Sequence, residues 1–587
     1  MCGLVAGVWC VQNSRHTDAV TWACAEMVSR GPDGDGLWED GDVSLGHRRL
    51  AILDPAHRSD QPMVSASGRY RIVFNGEIYN FRELSRLVVD EAHSLHTTSD
   101  TEVLLELFEQ RGAAMLPLLR GMFALAIWDT LERRLFVARD AYGIKPLYVA
   151  TTSAGVIVAS TVRALQATGL VSRDPDPWGQ ATFWLTGSVA EPHTWYAAIR
   201  AFPPGHHAWI DRHGMGTPQP WHDVQEAFAH PSGSSRKHAI RDVAAGVRDS
   251  VKAHCVSDVP VGLFLSGGID SGVVGGLVST LQSGPVTAVT LKFAEFEATQ
   301  DDETVTAGAL ARRYGIDHHE RLVTQAEFQA DSKRILADMD QPSIDGVNTW
   351  YASKAMAELG LKVALSGVGG DELFQGYRHM QTVPRLVAGQ SALARVPGWS
   401  SLANAGVQWQ AERSGNPRWQ GLVEALRSLP GGWLARRGLF AESELPGLMG
   451  DELAHEALRG QGALEWIEGE FARLPRDPRS AMSLIESRMY LRNQLLRDAD
   501  WASMAHSVEL RTPLVDTTLL GVVAPHLSHM RHFSGKRLLS GAVQPSLPDS
   551  VLRRPKTGFS IPVQRWLGEA GEHPTRAWAR QVAETYR

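Results

Sequence analysis

Cys2 stands directly behind Met1, so removal of Met1 would leave a thiol and a free α-amino group on one residue. An α-amine titrates at about 7.7 to 8.0, so near neutral pH it can take the thiol proton, directly or through water. That pairing can begin acyl transfer. By position alone, Cys2 is an ordinary small residue near a terminus. A different chemistry is suggested by Ser266-Gly267-Gly268-Ile269-Asp270-Ser271, which follows an apolar run ending at Leu265 and precedes a helical run from Gly272. A Gly-rich strand-to-helix turn lets backbone N–H groups approach a phosphate, and the helix N terminus adds partial positive charge. The turn lacks the GK[ST] ending of a Walker loop, and its plain alternative is a turn closing an α/β unit. Ser366-Gly367-Val368-Gly369-Gly370-Asp371-Glu372 repeats the pattern after a second apolar run. Ligands of open parallel sheets lie outside the carboxyl ends of strands, so both turns can face one crevice. There Asp270 and Asp371 would share a Mg²⁺, with Lys536 and Lys556 adding positive charge. Each lysine taken singly reads as a solvated surface residue.

Two frameworks are needed to position these groups. Short β-type runs at 3–11, 70–74, 122–128 and 134–138, broken by Gly, Pro and Asp, predict a mainly antiparallel, sheet-based domain over residues 1–210. Its helical insert is Asp100–Arg111, where Thr101, Leu104, Leu105 and Phe108 recur at helical spacing behind a Ser99 or Asp100 cap. Residues 211–238 shift to Gly, Pro, Ser and His without apolar periodicity and read as a linker. From 239 to 587, apolar strands at 259–265, 286–293 and 361–365 alternate with helical stretches. This predicts an α/β domain with a parallel sheet and crossover helices, extended by helices from about Arg385.

Composition sets the remaining bounds. A chain of 587 residues, 43% hydrophobic and 21% charged, is too long for one core and ordinary for a globular protein. A net charge of -7 argues against nucleic acid as principal partner. Four cysteines without CxxC spacing indicate neither a disulfide framework nor a zinc site, and a reducing cytoplasm is the simplest setting. The apolar run at 4–11 has no positive segment before it and is too short to span a bilayer, so neither a secretory signal nor a membrane span is expected.

Motifs along the whole chain carry a resemblance. Met1-Cys2-Gly3, Arg30-Gly31-Pro32-Asp33-Gly34, His47-Arg48-Arg49-Leu50, Phe74-Asn75-Gly76-Glu77-Ile78-Tyr79-Asn80, Ser99-Asp100-Thr101-Glu102 and the segment from Arg139 to Tyr148 precede the two Gly-rich turns. Leu510-Arg511-Thr512-Pro513-Leu514-Val515-Asp516 and Arg554-Pro555-Lys556-Thr557-Gly558-Phe559 follow them. In content and order the chain resembles the glutamine-dependent asparagine synthetases. That resemblance implies an α+β N-terminal-nucleophile (Ntn) hydrolase sandwich over 1–210, a class II glutaminase. A linker over 211–238 would lead to an α/β parallel-sheet PP-loop ATP pyrophosphatase domain over 239–587 with a helical C-terminal extension.

The resemblance also implies roles. Cys2 would attack the glutamine side-chain amide and release ammonia, with Asn75 and the Gly76 N–H as oxyanion hole. Arg49 would bind the glutamine α-carboxylate and Asp100 its α-ammonium, with Glu77 assisting at the amino end. Read singly, Arg49 and Asp100 are surface charges, and Asn75-Gly76 is a hairpin turn. Phe264, Leu265, Leu291, Ser366 and Gly367 would hold adenine and ribose, Ser266, Gly268, Asp270 and Ser271 the phosphates, and Asp270 and Asp371 the Mg²⁺. Lys536 and Lys556 would stabilise charge on the adenylate and pyrophosphate. The implied substrates are glutamine, ATP and a carboxylic acid; ammonia would pass through a sheltered channel to the acyl-adenylate. No nucleic acid or membrane partner is implied, and a homodimer is left open. Val368 stands where the family usually has Glu, and Gln375 and Ser540 are lesser departures. Val368 admits an acceptor other than aspartate, a weakened synthetase, or replacement by another residue such as Glu372. The alternative reading is a glutaminase fused to a non-synthesising ATP-binding scaffold or regulatory module.

Overall fold

The computed structural model describes residues 2–10, 15–89, 94–229, 235–282, 284–531, 535–554, 561–566 and 573–586. In the first unit the strands are β1 (Gly3–Trp9), β2 (Gly34–Glu39), β3 (Val43–Arg49), β4 (Met63–Val64), β5 (Tyr70–Ile78), β6 (Gly121–Asp129) and β7 (Arg134–Arg139). They continue with β8 (Tyr148–Thr152), β9 (Gly155–Ala159), β10 (Ile199–Ala201), β11 (His206–Asp211), β12 (Gly214–Met215) and β13 (Gln219–Pro220). One antiparallel sheet runs β10-β8-β9-β1-β3-β2, and the other runs β12-β11-β7-β6-β5-β4, with β13 also on β11.

Alternating side chains bind the two sheets face to face. Leu4, Ala6 and Val8 of β1 share a core with Val73 of β5, Ala126 and Trp128 of β6 and Val137 of β7. The opposite face of β1, Val5 and Trp9, packs on Val20, Ala23 and Cys24 of helix Arg15–Glu26. On the other outer face, Ile72, Phe74 and Ile78 of β5 pack on helices Phe81–Val88 and Asp100–Arg111. The result is a helix–sheet–sheet–helix sandwich in which central strands such as β1 and β6 are buried on both faces.

Three differences from the sequence reading have physical causes. β5 continues through Asn75 and Gly76, which pair with Ala124 and Phe123 instead of turning a hairpin, because continuous pairing with β6 overrides the dipeptide preference. Helices Arg15–Glu26, Phe81–Val88, Val162–Ala167 and Pro177–Thr186 join the single expected insert; short or almost wholly buried, they lack a long two-faced pattern. The expected linker is largely structured. Residues 214–220 form β12 and β13, two-residue strands too short for a periodic signal, and helix Val224–Ala229 buries Val224 and Phe228 in the core of the second unit.

The second unit is built on a parallel sheet, β16-β15-β14-β17-β18, from β14 (Val261–Phe264), β15 (Thr287–Lys292), β16 (Asp317–Leu322), β17 (Val363–Leu365) and β18 (Glu509–Arg511). Helices Ile269–Leu281, Thr304–Tyr314 and Val347–Glu358 connect them, as crossover packing requires. Helices dominate from His379 onward. β16 and β18 escaped the sequence reading because one is the polar edge strand DHHERL and the other has only three residues.

Candidate active sites

Strand order explains the first site. β1 is flanked by β9 and β3, so Cys2, one residue ahead of it, opens at the end of a central strand and is only 8% exposed. With Met1 attached its nitrogen is an amide, standing where the α-amine would be. That N–H donates to Asn75 Oδ1 at 3.0 Å, joining Cys2 to β5 of the facing sheet. Asn75 Nδ2 donates to Ser160 Oγ at 3.4 Å, and the same hydroxyl accepts from the Leu4 N–H at 3.1 Å. Burial pushes the Cys2 thiol above its ordinary value, while the Leu50 backbone and Arg49 pull it down. Gly76 has no room for a side chain: a Cβ there would lie 2.2 Å from the Met122 carbonyl oxygen.

The proposed glutamine-binding groups divide. Asp100 opens its helix behind Ser99, whose hydroxyl accepts the Thr101 N–H at 3.1 Å, and Asp100 Oδ2 accepts the Ile78 N–H at 2.9 Å. Burial raises its carboxyl to about 6 despite these hydrogen bonds, with Glu509 adding to the rise. Arg49 ends β3 and spends its guanidinium on the loop beyond, donating to the carbonyls of Asp54 (2.6 Å) and Ala56 (2.9 Å) and to Asp60 Oδ1 (2.8 Å). Glu77 points the other way, into an ion pair with Arg511 of β18 at 2.9 Å. Arg30 is the group that the sequence reading left without a role. Its Nε donates to the Cys2 carbonyl at 3.2 Å and its fork grips Asp500 at 2.6 and 3.1 Å. Its motif was visible, but its partner is 470 residues away.

The second site follows from β14 and β17 being parallel neighbours. Both Gly-rich turns leave the same end of the sheet, at one side of a cavity of about 650 Å³. Phe264, Leu265, Ser266, Gly268, Asp270, Ser271, Leu291, Ser366, Gly367 and Asp371 all line it. Ser266 and Ser271 hydroxyls meet at 2.8 Å across the first turn. Lys536 is drawn into the cavity with 14% of its side chain exposed: Nζ lies 2.5 and 2.6 Å from the Asp270 oxygens and 2.7 Å from Asp371 Oδ1. Two carboxylates converging on one cation beside the two Gly-rich turns fit the Mg²⁺ donor set of few carboxylates completed by phosphate and water. Lys556 lies outside the described residues.

The facing wall escaped the sequence reading. Asp345, Tyr377, Tyr490 and Asp498 line the cavity together with Val368 and Glu372, the two residues of the second Gly-rich turn that the sequence had already singled out. Tyr490 comes from the π-helical stretch Ser487–Leu496, whose wider winding is enriched at functional sites. Asp498 accepts from Ser343 Oγ at 2.8 Å and Trp501 Nε1 at 2.9 Å. Burial, then Asp345, push its carboxyl up to about 7, and burial raises Asp345 as well. No local motif marks these two acids; the fold alone brings them together.

The comparisons with known proteins agree with this division. Residues 1–222 match the glutamine amidotransferase domain family and residues 242–586 the asparagine synthase family. Glutamine-hydrolysing asparagine synthetase 1 of Bacillus subtilis is 30% identical over 594 residues, covering 100% of this chain and 90% of its own. A Mycobacterium bovis protein provisionally given the same name is 32% identical over 609 residues, 97% of this chain and 89% of its own. Amidase chyE of Penicillium rubens is 26% identical over 584 residues, 92% and 84% of the two chains. On the matched domains and the full-length relatives, the chain belongs to the family of glutamine-hydrolysing asparagine synthetases and is a glutamine-dependent ligase of that type.

Proposed function

We propose that Cys2 hydrolyses glutamine and that the ammonia is joined, in the second unit, to an amine-bearing carboxylic acid activated as its adenylate. The observation that carries the second half is the convergence of both Gly-rich turns, Lys536 and the acids Asp345 and Asp498 on one cavity. Cys2 attacks the amide carbon, and the oxyanion is met by Asn75 Nδ2 and the Gly76 N–H; a γ-glutamyl thioester forms and ammonia leaves. Arg49 and Asp100 hold the two ends of the amino acid, and Glu77 contributes through its ion pair with Arg511 rather than by direct contact. Across the interface, Phe264, Leu265 and Leu291 offer the apolar walls suited to an adenine. Ser266, Gly268 and Ser271 bind phosphates, and Asp270 and Asp371 would hold a Mg²⁺. When bound, Mg²⁺ neutralises the departing pyrophosphate. Lys536, with Lys556, stabilises the same charge. The first unit reads as an Ntn-type nucleophile domain and the second as a PP-loop domain.

Val368 places no carboxylate beside the adenylate. Asp345 and Asp498 favour an acceptor that brings its own ammonium, because a cation would relieve the repulsion between half-buried Asp345 and buried Asp498. Aspartate is the first such acid to test. Cys2→Ala should form amide from aspartate, ATP and added ammonium, with AMP and pyrophosphate as coproducts. Its glutamine-driven synthesis should fall by a factor of about 1,000 or more. Glutaminase activity retained in Cys2→Ala would overturn the nucleophile assignment. Release of AMP with no acid of this class would overturn the acceptor assignment. No helix among the described residues is long and apolar enough to cross a membrane.

A further inference from the structure

The nucleotide cavity contains one cation to which the chemistry above gives no task. Arg554 follows helix Asp549–Arg553 and lines the cavity. Its Nη2 donates to the Gln300 carbonyl at 2.7 Å and the Asp302 carbonyl at 3.2 Å, anchoring the guanidinium to the segment just ahead of helix Thr304–Tyr314. Its Nη1 is buried and has no hydrogen-bond partner among the described residues. That nitrogen lies against the first Gly-rich turn: a Cβ built at Gly267 would fall 1.9 Å from it. The missing side chain at 267 is therefore what lets the guanidinium reach the loop. Lys536 meets the same turn at Asp270, so two cations address its two ends.

A guanidinium is a fixed planar fork of donors whose geometry matches phosphate oxygens, and a buried donor without a partner is a group awaiting an acceptor. The acceptors that belong beside a Gly-rich strand-to-helix turn are phosphate oxygens. We infer that Arg554 binds the β- and γ-phosphates of ATP, and therefore the pyrophosphate that leaves. The assignment rests on the reading of this cavity as the ATP site. Arg554 does not touch the acyl carbon and acts by holding the leaving group.

Calorimetric titration of the full chain with magnesium pyrophosphate, magnesium ATP and AMP tests it. Arg554→Gln should weaken pyrophosphate and ATP by roughly 10- to 100-fold, the range for a hydrogen bond to a charged group, and leave AMP unchanged. Arg554→Lys should recover part of the loss. Gly267→Ala, which displaces the guanidinium from the other side, should show the same selectivity for the longer phosphate chain. Equal weakening of all three ligands would mean that Arg554 only anchors the 300–302 segment, and unchanged pyrophosphate affinity would remove it from the site; either result overturns the inference. Failure of the unsubstituted chain to bind ATP or AMP would instead overturn the reading of the cavity, and the role of Arg554 with it.

Discussion

At the scale of single residues, the first site is governed by burial. Cys2, Asn75 and Asp100 are all shielded from water, which makes their charges expensive and their hydrogen bonds decisive. Asp100 gives this a pH signature. Its carboxyl sits near 6 in the free protein, above the ordinary carboxylate range because of burial and Glu509. Only the ionised form can pair with the glutamine α-ammonium. Acidification through about pH 6 should therefore lower kcat/KM for glutamine, chiefly by raising KM, as pH–rate profiles of glutamate release would reveal. Asp100→Asn should raise KM by roughly 10- to 100-fold and erase this acid limb. A profile flat from pH 5 to 7 would remove Asp100 from glutamine binding. The groups legible in the sequence were those carried by local motifs: Cys2 at the chain start, Asn75-Gly76, and the two Gly-rich turns. Asp345 and Asp498 were illegible because their meaning lies in their juxtaposition, which nothing near either one announces.

Elements decide whether those residues are held accurately. Gly76 sits mid-strand on β5, opposite Phe123 of β6, and the Met122 carbonyl occupies the space that a methyl group would need. Gly76→Ala must push β5 off β6 beside Cys2. A displacement of about 1 Å at a reacting centre costs roughly 100-fold in rate. Glutaminase turnover by Gly76→Ala should fall by that order, while ammonium-driven synthesis in the second unit persists; comparing the two activities in one preparation checks it. The apolar cores of β1, β5, β6, β14 and β17 were readable because strands covered on both sides are nearly continuous hydrophobic runs. β16, β18 and the β12–β13 pair were not, since edge position, three-residue length and two-residue length each remove the periodic signal. Helix Asp100–Arg111 was readable to the residue, its Ser99 cap being a local side-chain-to-backbone bond.

For the molecule as a whole, the two units share an apolar core, and buried charges bridge them within it. Arg511, fully buried on β18, spans Glu509 at 2.6 Å in its own unit and Glu77 at 2.9 Å in the first. Removing one member of a buried pair leaves the other uncompensated, at a cost of about 3–5 kcal/mol. Arg511→Met should accordingly lower the calorimetric unfolding temperature and reduce glutamine-driven synthesis more than ammonium-driven synthesis. Adding Glu77→Gln should restore part of the stability, because it removes the orphaned charge. No recovery in the double variant would mean that the pair is not what couples the units. Nothing in the sequence announced this seam, whose partners lie hundreds of residues apart.

Arg30 adds a consequence for how such a chain can change over generations. One side chain holds the carbonyl of Cys2 with one nitrogen and Asp500, in the helix Arg497–Met504, with the other two. The halves are thus not interchangeable cassettes. A recombinant that paired this N-terminal half with a C-terminal half lacking an acid at position 500 would bury an unanswered guanidinium against Cys2. Inheritance of the two halves as one piece is therefore written into a single three-way handshake at residue 30.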